Sequence, residues 1–448
     1  MNNNTHILNP LFKKTYPVIS HGKGIYMYDE HNTEYIDATS GAVLVSLGHG
    51  VTEMGDVLKK QADKISFAYR WDCITQVLED ACKLVCDTSD HDFTKVFYVC
   101  GGSEATEISM KLVRRYFINI GKNSKYKVIS RHQSYHGSTM GALSITGFPA
   151  RKAGYEDYLF EQGHIAPPYC YRCWYNKICE TCNFECAMEL ETEIVNQGPD
   201  NVAAFIFEPV SGMSICGANP PKGYFQKIRE ICDKYNVLLI SDEVMAGMGR
   251  TGKYFAYQNF DIKPDIITLG KALAGGYFPI GAVACSQKIY DGIAENTAEF
   301  QPGYSWAGNP LGSAVVCETF KQLANQQLVP NVALKGIYLM YELREMAKNH
   351  KIIGDVRGLG LMVGLEFVKD KETKETFDPS MKVAGMIGKA ALEEKMFLEV
   401  SVGCNHGTSG DMAMVAPAFI VSYLELDEIV ARIDKVVTKV EAQLGLSI

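Results

Sequence analysis

Six short apolar runs, set between helix-length stretches from about residue 95 to 290, constrain this 448-residue chain more than any other feature. They are KVFYVC (95–100), YKVIS (126–130), AAFIF (203–207), VLLIS (237–241), DIITL (265–269) and GAVACS (281–286). Each is too short for a helix and rich in Val, Ile or aromatic residues, the pattern of a strand covered on both faces. Helical stretches such as Glu104 to Phe117 and Gly223 to Tyr235 lie between them. This alternation predicts an α/β fold with a mostly parallel sheet and helices on both of its faces.

From about residue 326 the pattern changes. Helix-like GIYLMYELREMAKNH is followed by strand-like GLMVGLEFV, a helical stretch near 381–395, strand-like AMVAPAFIV and a final helix. That helix carries Ile429, Ile433, Val436, Val437, Val440 and Leu444 on one face, and Ser422 with Glu425 forms a capping box at its start. The expectation is a smaller α+β domain. The first 55 residues carry a strand pattern of their own, GIYMYDEHNTEYIDA, turning at His31-Asn32. The division expected is a large domain at 56–325 and a small one built from 1–55 and 326–448.

Charge narrows the partners. The 44 basic and 52 acidic residues leave a net charge of -8, and no Lys/Arg block of the kind that grips phosphate backbones or anionic lipid is present. No apolar run approaches the roughly 18 residues of a membrane span, and MNNNTHILNPLFKK has no apolar core after its start. A cytoplasmic protein acting on small molecules is expected, with no nucleic acid or membrane partner. In parallel sheets such ligands bind beyond the carboxyl ends of the strands.

Those ends carry an unusual set. After KVFYVC comes GGSEATE: Gly101 and Gly102 permit a tight turn, and Ser103 with the free N–H groups of the next helix makes an anion cradle. After VLLIS stands Asp242, and after DIITL come Gly270 and Lys271. Taken singly these are an ordinary glycine turn, helix cap and solvated lysine. Jointly they meet the needs of pyridoxal 5'-phosphate: an anion site, a carboxylate to keep the ring nitrogen protonated, and an amine to attach. Tyr135 in SYHG follows another strand and can stack on the ring.

The segment ISDEVMAGMGRTGKYFAYQNFDIKPDIITLGKALAGGYFPIGAV resembles the core of the class III aminotransferases, pyridoxal-phosphate enzymes of fold type I. HGKGIYMYDEHNTEYIDATSG, GGSEATEISMKL, SYHGSTMGALSITG, FEPVSG, WAGNP and DVRGLGLMVGLEF extend the similarity over nearly the whole chain. The resemblance implies a seven-stranded type of sheet in the large domain. It makes Lys271 the Schiff-base lysine, Asp242 the partner of the ring nitrogen, and Val244 and Tyr135 the residues on the two ring faces. Gly102 and Ser103 would hold the phosphate, with His136 and Glu208 beside the cofactor and Gly249-Arg250-Thr251-Gly252 a structural turn. Ser305 falls where many members place a threonine that reaches the neighbouring subunit's phosphate, which implies a homodimer with shared sites.

The activity implied is transfer of an amino group from an amine or amino acid, by a ping-pong cycle, to a 2-oxo acid such as pyruvate or 2-oxoglutarate. Racemases, epimerases, aminomutases and decarboxylases share the scaffold and stay open at this stage. Many members carry an arginine just before an APP segment near the carboxyl end, whereas this chain has none between Arg357 and Arg432, and the second Pro is Ala418. A donor amine that is not on the α-carbon is therefore expected, with Arg70 in FAYRWD the substitute for binding any carboxylate. Val43 stands where some members have tryptophan, which implies a roomier pocket.

Two features fit other functions. GMGRTGK has the frame of a nucleotide-binding P-loop, but Tyr254 replaces its Ser/Thr and the first Gly lies five residues beyond Asp242. YCYRCWYNKICETCNFEC places Cys170, Cys173, Cys182 and Cys186 at C-x2-C-x8-C-x3-C, with Cys179 between, a spacing able to hold one structural zinc. PYCYRC also resembles the zinc deaminase P-C-x-x-C, but Tyr169 interrupts it.

Overall fold

The computed structural model describes residues 6–11, 14–296 and 299–446; residues 1–5, 12 and 13 of the amino-terminal stretch read above lie outside it. Its strands in chain order are β1 Ile19–Lys23, β2 Tyr26–Asp29, β3 Glu34–Asp37, β4 Lys95–Val99 and β5 Lys127–Arg131. β6 His164–Ile165, β7 Val202–Phe207, β8 Leu238–Asp242, β9 Ile266–Leu269 and β10 Gly281–Cys285 follow. β11 Ile353–Gly358, β12 Val363–Phe367, β13 Met396–Phe397, β14 Glu399–Asn405 and β15 Ser409–Val415 complete the set.

The central sheet has seven strands in the order β4-β10-β9-β8-β7-β5-β6, and only β10 runs against its neighbours. All six strands expected from the sequence are in it. The seventh, β6, is two residues long and too short to leave a pattern. Every residue of β7, β8, β9 and β10 is buried. Successive side chains enter different cores: Phe205, Phe207, Leu239 and Ile267 join one cluster, while Ala204, Ile206, Ile240 and Ile266 join another. That is period two with both faces covered, and it explains why these strands read as continuous apolar runs.

The remaining strands form two four-stranded sheets, β11-β12-β15-β14 and β1-β2-β3-β13. β13 pairs in parallel with β3, Met396 opposite Ile36, so the amino-terminal segment is tied to the carboxyl-terminal part. The last helix, Tyr423–Gln443, has the expected capping box: Glu425 N–H donates to Ser422 Oγ (3.2 Å) and Ser422 N–H to Glu425 Oε2 (2.6 Å). No helix among the described residues is long and apolar enough to cross a membrane.

The cysteine-rich stretch lies between β6 and the helix Glu185–Gln197. Among the described residues, no group of three or more His, Cys, Asp or Glu is placed to hold a metal ion, so the zinc site that the cysteine spacing allows is not assembled. Other contacts fix the loop. Trp174 stacks on His132, ring centroids 5.0 Å apart, and lies 4.6 Å from His406. Arg172 Nε donates to Glu366 Oε1 (2.6 Å), and Arg357 Nη1 donates to Glu366 Oε2 (2.7 Å).

Candidate active site

β8 delivers Asp242 at its carboxyl end, where the side chain is buried against three donors. The His136 ring nitrogen Nδ1 lies 2.7 Å from Asp242 Oδ2, while Thr268 Oγ1 (3.2 Å) and Val244 N–H (3.1 Å) donate to Oδ1. The other ring nitrogen of His136 is buried without a partner. Glu208, just beyond β7, accepts from Gly212 N–H (3.0 Å) and Tyr135 N–H (3.4 Å). Burial raises its pKa; His136 and Arg131 pull the other way.

Lys271 follows β9 with φ of 45°, in the left-handed region that costs a non-glycine residue about 1–2 kcal/mol. Removal from water brings its amine down to about 8, against the opposing charges of Asp242, Glu208 and Glu399. A strained backbone and a lowered lysine together mark a worked site rather than a surface turn.

At the end of β4 the chain enters the helix Gly102–Asn119. Ser103 Oγ accepts from Ser138 N–H (3.1 Å). A Cβ on Gly102 would stand 2.6 Å from Val244 Cγ1, so only glycine brings this helix start against the β8 end. Val43 arrives on a contorted turn in which Ser40, Gly41 and Val43 all have positive φ, rare for a β-branched residue. The Asp37 carboxylate, which accepts from Thr39 and Gly41 N–H, and Ser40 Oγ, which donates to Ala416 O (2.7 Å), hold the turn.

These groups surround one cavity of about 330 Å³. Gly102, Ser103, Tyr135, His136 and Glu208 line it, as do Asp242, Val244, Lys271 and Val43. Arg70 does not; its guanidinium lies 4.0 Å from the ring centre of Phe97, on β4. Ser305 is also outside this cavity and is exposed. Arg151 and Glu399 do line it and were not singled out in the sequence. Arg151 lies in the short helix Pro149–Lys152, which does not directly follow a strand, and Glu399 opens the edge strand β14, so neither occupies a strand end that would mark it.

The GMGRTGK segment is spent on structure. Gly247, Gly249, Arg250 and Gly252 N–H groups all bond within the segment or its flanks. Arg250 is buried, donates from Nη1 to Leu361 O (3.0 Å) and Pro417 O (2.6 Å), and stands over Phe419. Those four amides are already engaged and do not cradle a nucleotide.

The model of the family "Aminotransferase class-III" matches residues 10–437. This chain belongs to the class III aminotransferases. An uncharacterized aminotransferase, YodT, of Bacillus subtilis is 34% identical over 98% of this chain and 99% of its own. The diaminobutyrate–2-oxoglutarate transaminase of Halomonas elongata is 34% identical over 94% of this chain and 90% of its own. A transaminase from the marine bacterium Virgibacillus superposes with a TM-score of 0.92 at 29% identity, covering 99% of this chain and 98% of that one. The architecture is that of the fold type I enzymes.

Class III aminotransferases depend on pyridoxal phosphate, and the cavity fits that group. The helix Gly102–Asn119 starts at the cavity, and first-turn N–H groups, which have no acceptor within their own helix, suit an anion. The buried Asp242 suits a protonated ring nitrogen, and the second His136 ring nitrogen has no partner among the described residues.

Proposed function

We propose that this aminotransferase binds pyridoxal phosphate and moves an amino group from an amine, or from an amino acid through an amine remote from its α-carbon, to a 2-oxo acid such as pyruvate or 2-oxoglutarate. The reading rests on one observation: Lys271, with its lowered pKa, shares a single cavity with the Asp242–His136 pair. Bound there, the cofactor would supply an electron-withdrawing ring that carries the amino group between two half-reactions of a ping-pong cycle.

The protein's own groups do the rest. Gly102 and Ser103 would bind its phosphate, and Tyr135 and Val244, which line the same cavity, would confine its ring. Asp242, oriented by His136 and Thr268, holds a proton on the ring nitrogen. Lys271 would hold the cofactor through its amine; displaced by the incoming donor amine, the freed amine would take and return a proton at the donor carbon, a task suited to a base with a pKa of about 8. Glu208 fixes the backbone of Tyr135. Ser305, exposed and away from its own cavity, is free to reach a second subunit's phosphate, which supports a homodimer. Fourteen unbridged cysteines suit the reducing cytoplasm.

Protein loaded with pyridoxal phosphate is mixed with a panel of amines and pyruvate. Alanine should form in step with amine loss, and Lys271→Ala should abolish it. Racemisation of an amino acid or release of carbon dioxide without alanine would replace transamination with one of those reactions. If the protein takes up no cofactor and Lys271→Ala changes nothing, the pyridoxal reading fails.

A further inference from the structure

Five charged side chains line the cavity: Arg151, Glu208, Asp242, Lys271 and Glu399. Asp242 and Glu208 are committed to the donors described above, and Lys271 to the chemistry. Arg151 and Glu399 are committed to nothing. Neither side chain makes a hydrogen bond or ion pair with a described residue, and the Arg151 guanidinium stands over the Phe148 ring, 6.0 Å from its centre.

The two come from different parts of the fold. Arg151 lies in the short helix Pro149–Lys152, beside Phe148, which also lines the cavity. Glu399 begins β14, its N–H donating to Thr39 Oγ1 (3.1 Å) at the foot of the strained Val43 turn. Burial raises the pKa of Glu399, and the positive charges of Lys14 and Arg151 pull it back down. They act from a distance: neither makes an ion pair with Glu399, and the Lys14 ammonium rests over the Tyr16 ring. A guanidinium with open donors matches a carboxylate, and a carboxylate with open oxygens matches an ammonium.

We propose that Arg151 and Glu399 form a two-headed recognition site that selects amino donors carrying an acidic group and a second ammonium besides the amine that reacts, that is, diamino acids. The proposal rests on the aminotransferase reading of the same cavity. The acidic group pairs with Arg151, the spare ammonium with Glu399, and the reacting amine is left for the Lys271 end. This supplies the carboxylate site that the stretch from Arg357 to Arg432, which contains no arginine between those two, does not. A simple amine leaves both charges unpaired and gains nothing from either.

Four donors separate the heads, each with pyruvate and the loaded enzyme: lysine has both groups, ε-aminocaproate only the acid, cadaverine only the second ammonium, and hexylamine neither. In the wild type, kcat/KM should be highest for lysine and lowest for hexylamine. Arg151→Gln should lower the ratio of ε-aminocaproate to hexylamine by about tenfold, and Glu399→Gln the ratio of cadaverine to hexylamine by about tenfold, both mainly through KM. Arg151→Lys, which keeps the charge, should recover part of the loss. Calorimetry with two unreactive probes gives a second readout: caproate should bind about tenfold more weakly to Arg151→Gln, and pentyltrimethylammonium about tenfold more weakly to Glu399→Gln. Equal losses for all four donors, or unchanged ratios and unchanged probe binding, would overturn the proposal. If no donor yields alanine from pyruvate or glutamate from 2-oxoglutarate, the aminotransferase reading fails, while probe binding still decides whether the two heads exist.

Discussion

Lys271 shows how a single residue can be legible in sequence and yet have its character set by the fold. Its position after DIITL marked it, because the residue following a buried strand projects where ligands bind. Its reactivity comes from removal from water, which brings the amine to about 8. A raised pH empties this lysine of its proton earlier than an ordinary one, so the sign is clear: the free amine predominates above pH 8 and the ammonium below. The rate at which apoprotein takes up pyridoxal phosphate covalently should therefore rise between pH 7 and 9 with a midpoint of about 8. A rate flat across that range, followed by absorbance, would refute the lowered pKa. Arg151 and Glu399 lie at the other extreme. A charged residue in a short turn or at the start of an edge strand looks like any solvated one, and nothing local says that both face one cavity.

At the scale of elements, the helix Gly102–Asn119 begins against the end of β8 because Gly102 has no side chain. Gly102→Ala would drive a methyl into Val244 Cγ1, 2.6 Å from the built Cβ, and separate the proposed phosphate cradle from the proposed ring site. The variant should lose about tenfold in cofactor affinity, roughly 1.4 kcal/mol. Adding Val244→Ala, which clears the methyls, should restore a good part of the cradle. Fluorescence titration of apoprotein with pyridoxal phosphate measures both, and an affinity unchanged in Gly102→Ala would show that the close approach is dispensable. The strands were legible because burial on both faces leaves unbroken apolar runs, and the last helix because its capping box is a local hydrogen-bond exchange. β6 was missed because two residues cannot display a period.

For the whole molecule, the cysteine-rich stretch is the instructive case. Its spacing fits a zinc site, but the fold holds it through Trp174 and the buried Glu366, which is shared by Arg172 and Arg357. Removing that carboxylate takes the ion-pair partner from Arg172 and leaves Arg357 with Asp355 alone. Glu366→Ala should lower unfolding free energy in urea by about 3 kcal/mol, whereas prolonged chelator treatment of the wild type should leave its urea midpoint in place. A midpoint lowered by chelation, with zinc released in equal molar amount, would return the metal to the loop.

The sequence by itself determined the α/β class, the strand ends and the residues that follow them, since those depend on periodicity and on neighbours along the chain. It also carried the family, through motifs that run in order from end to end. Tertiary structure alone decided how the cysteine loop is held, how Arg250 is spent between Leu361 and Pro417, and which charges meet at the cavity. Those outcomes depend on distances between residues far apart in the chain, and packing sets such distances only once the three sheets have come together.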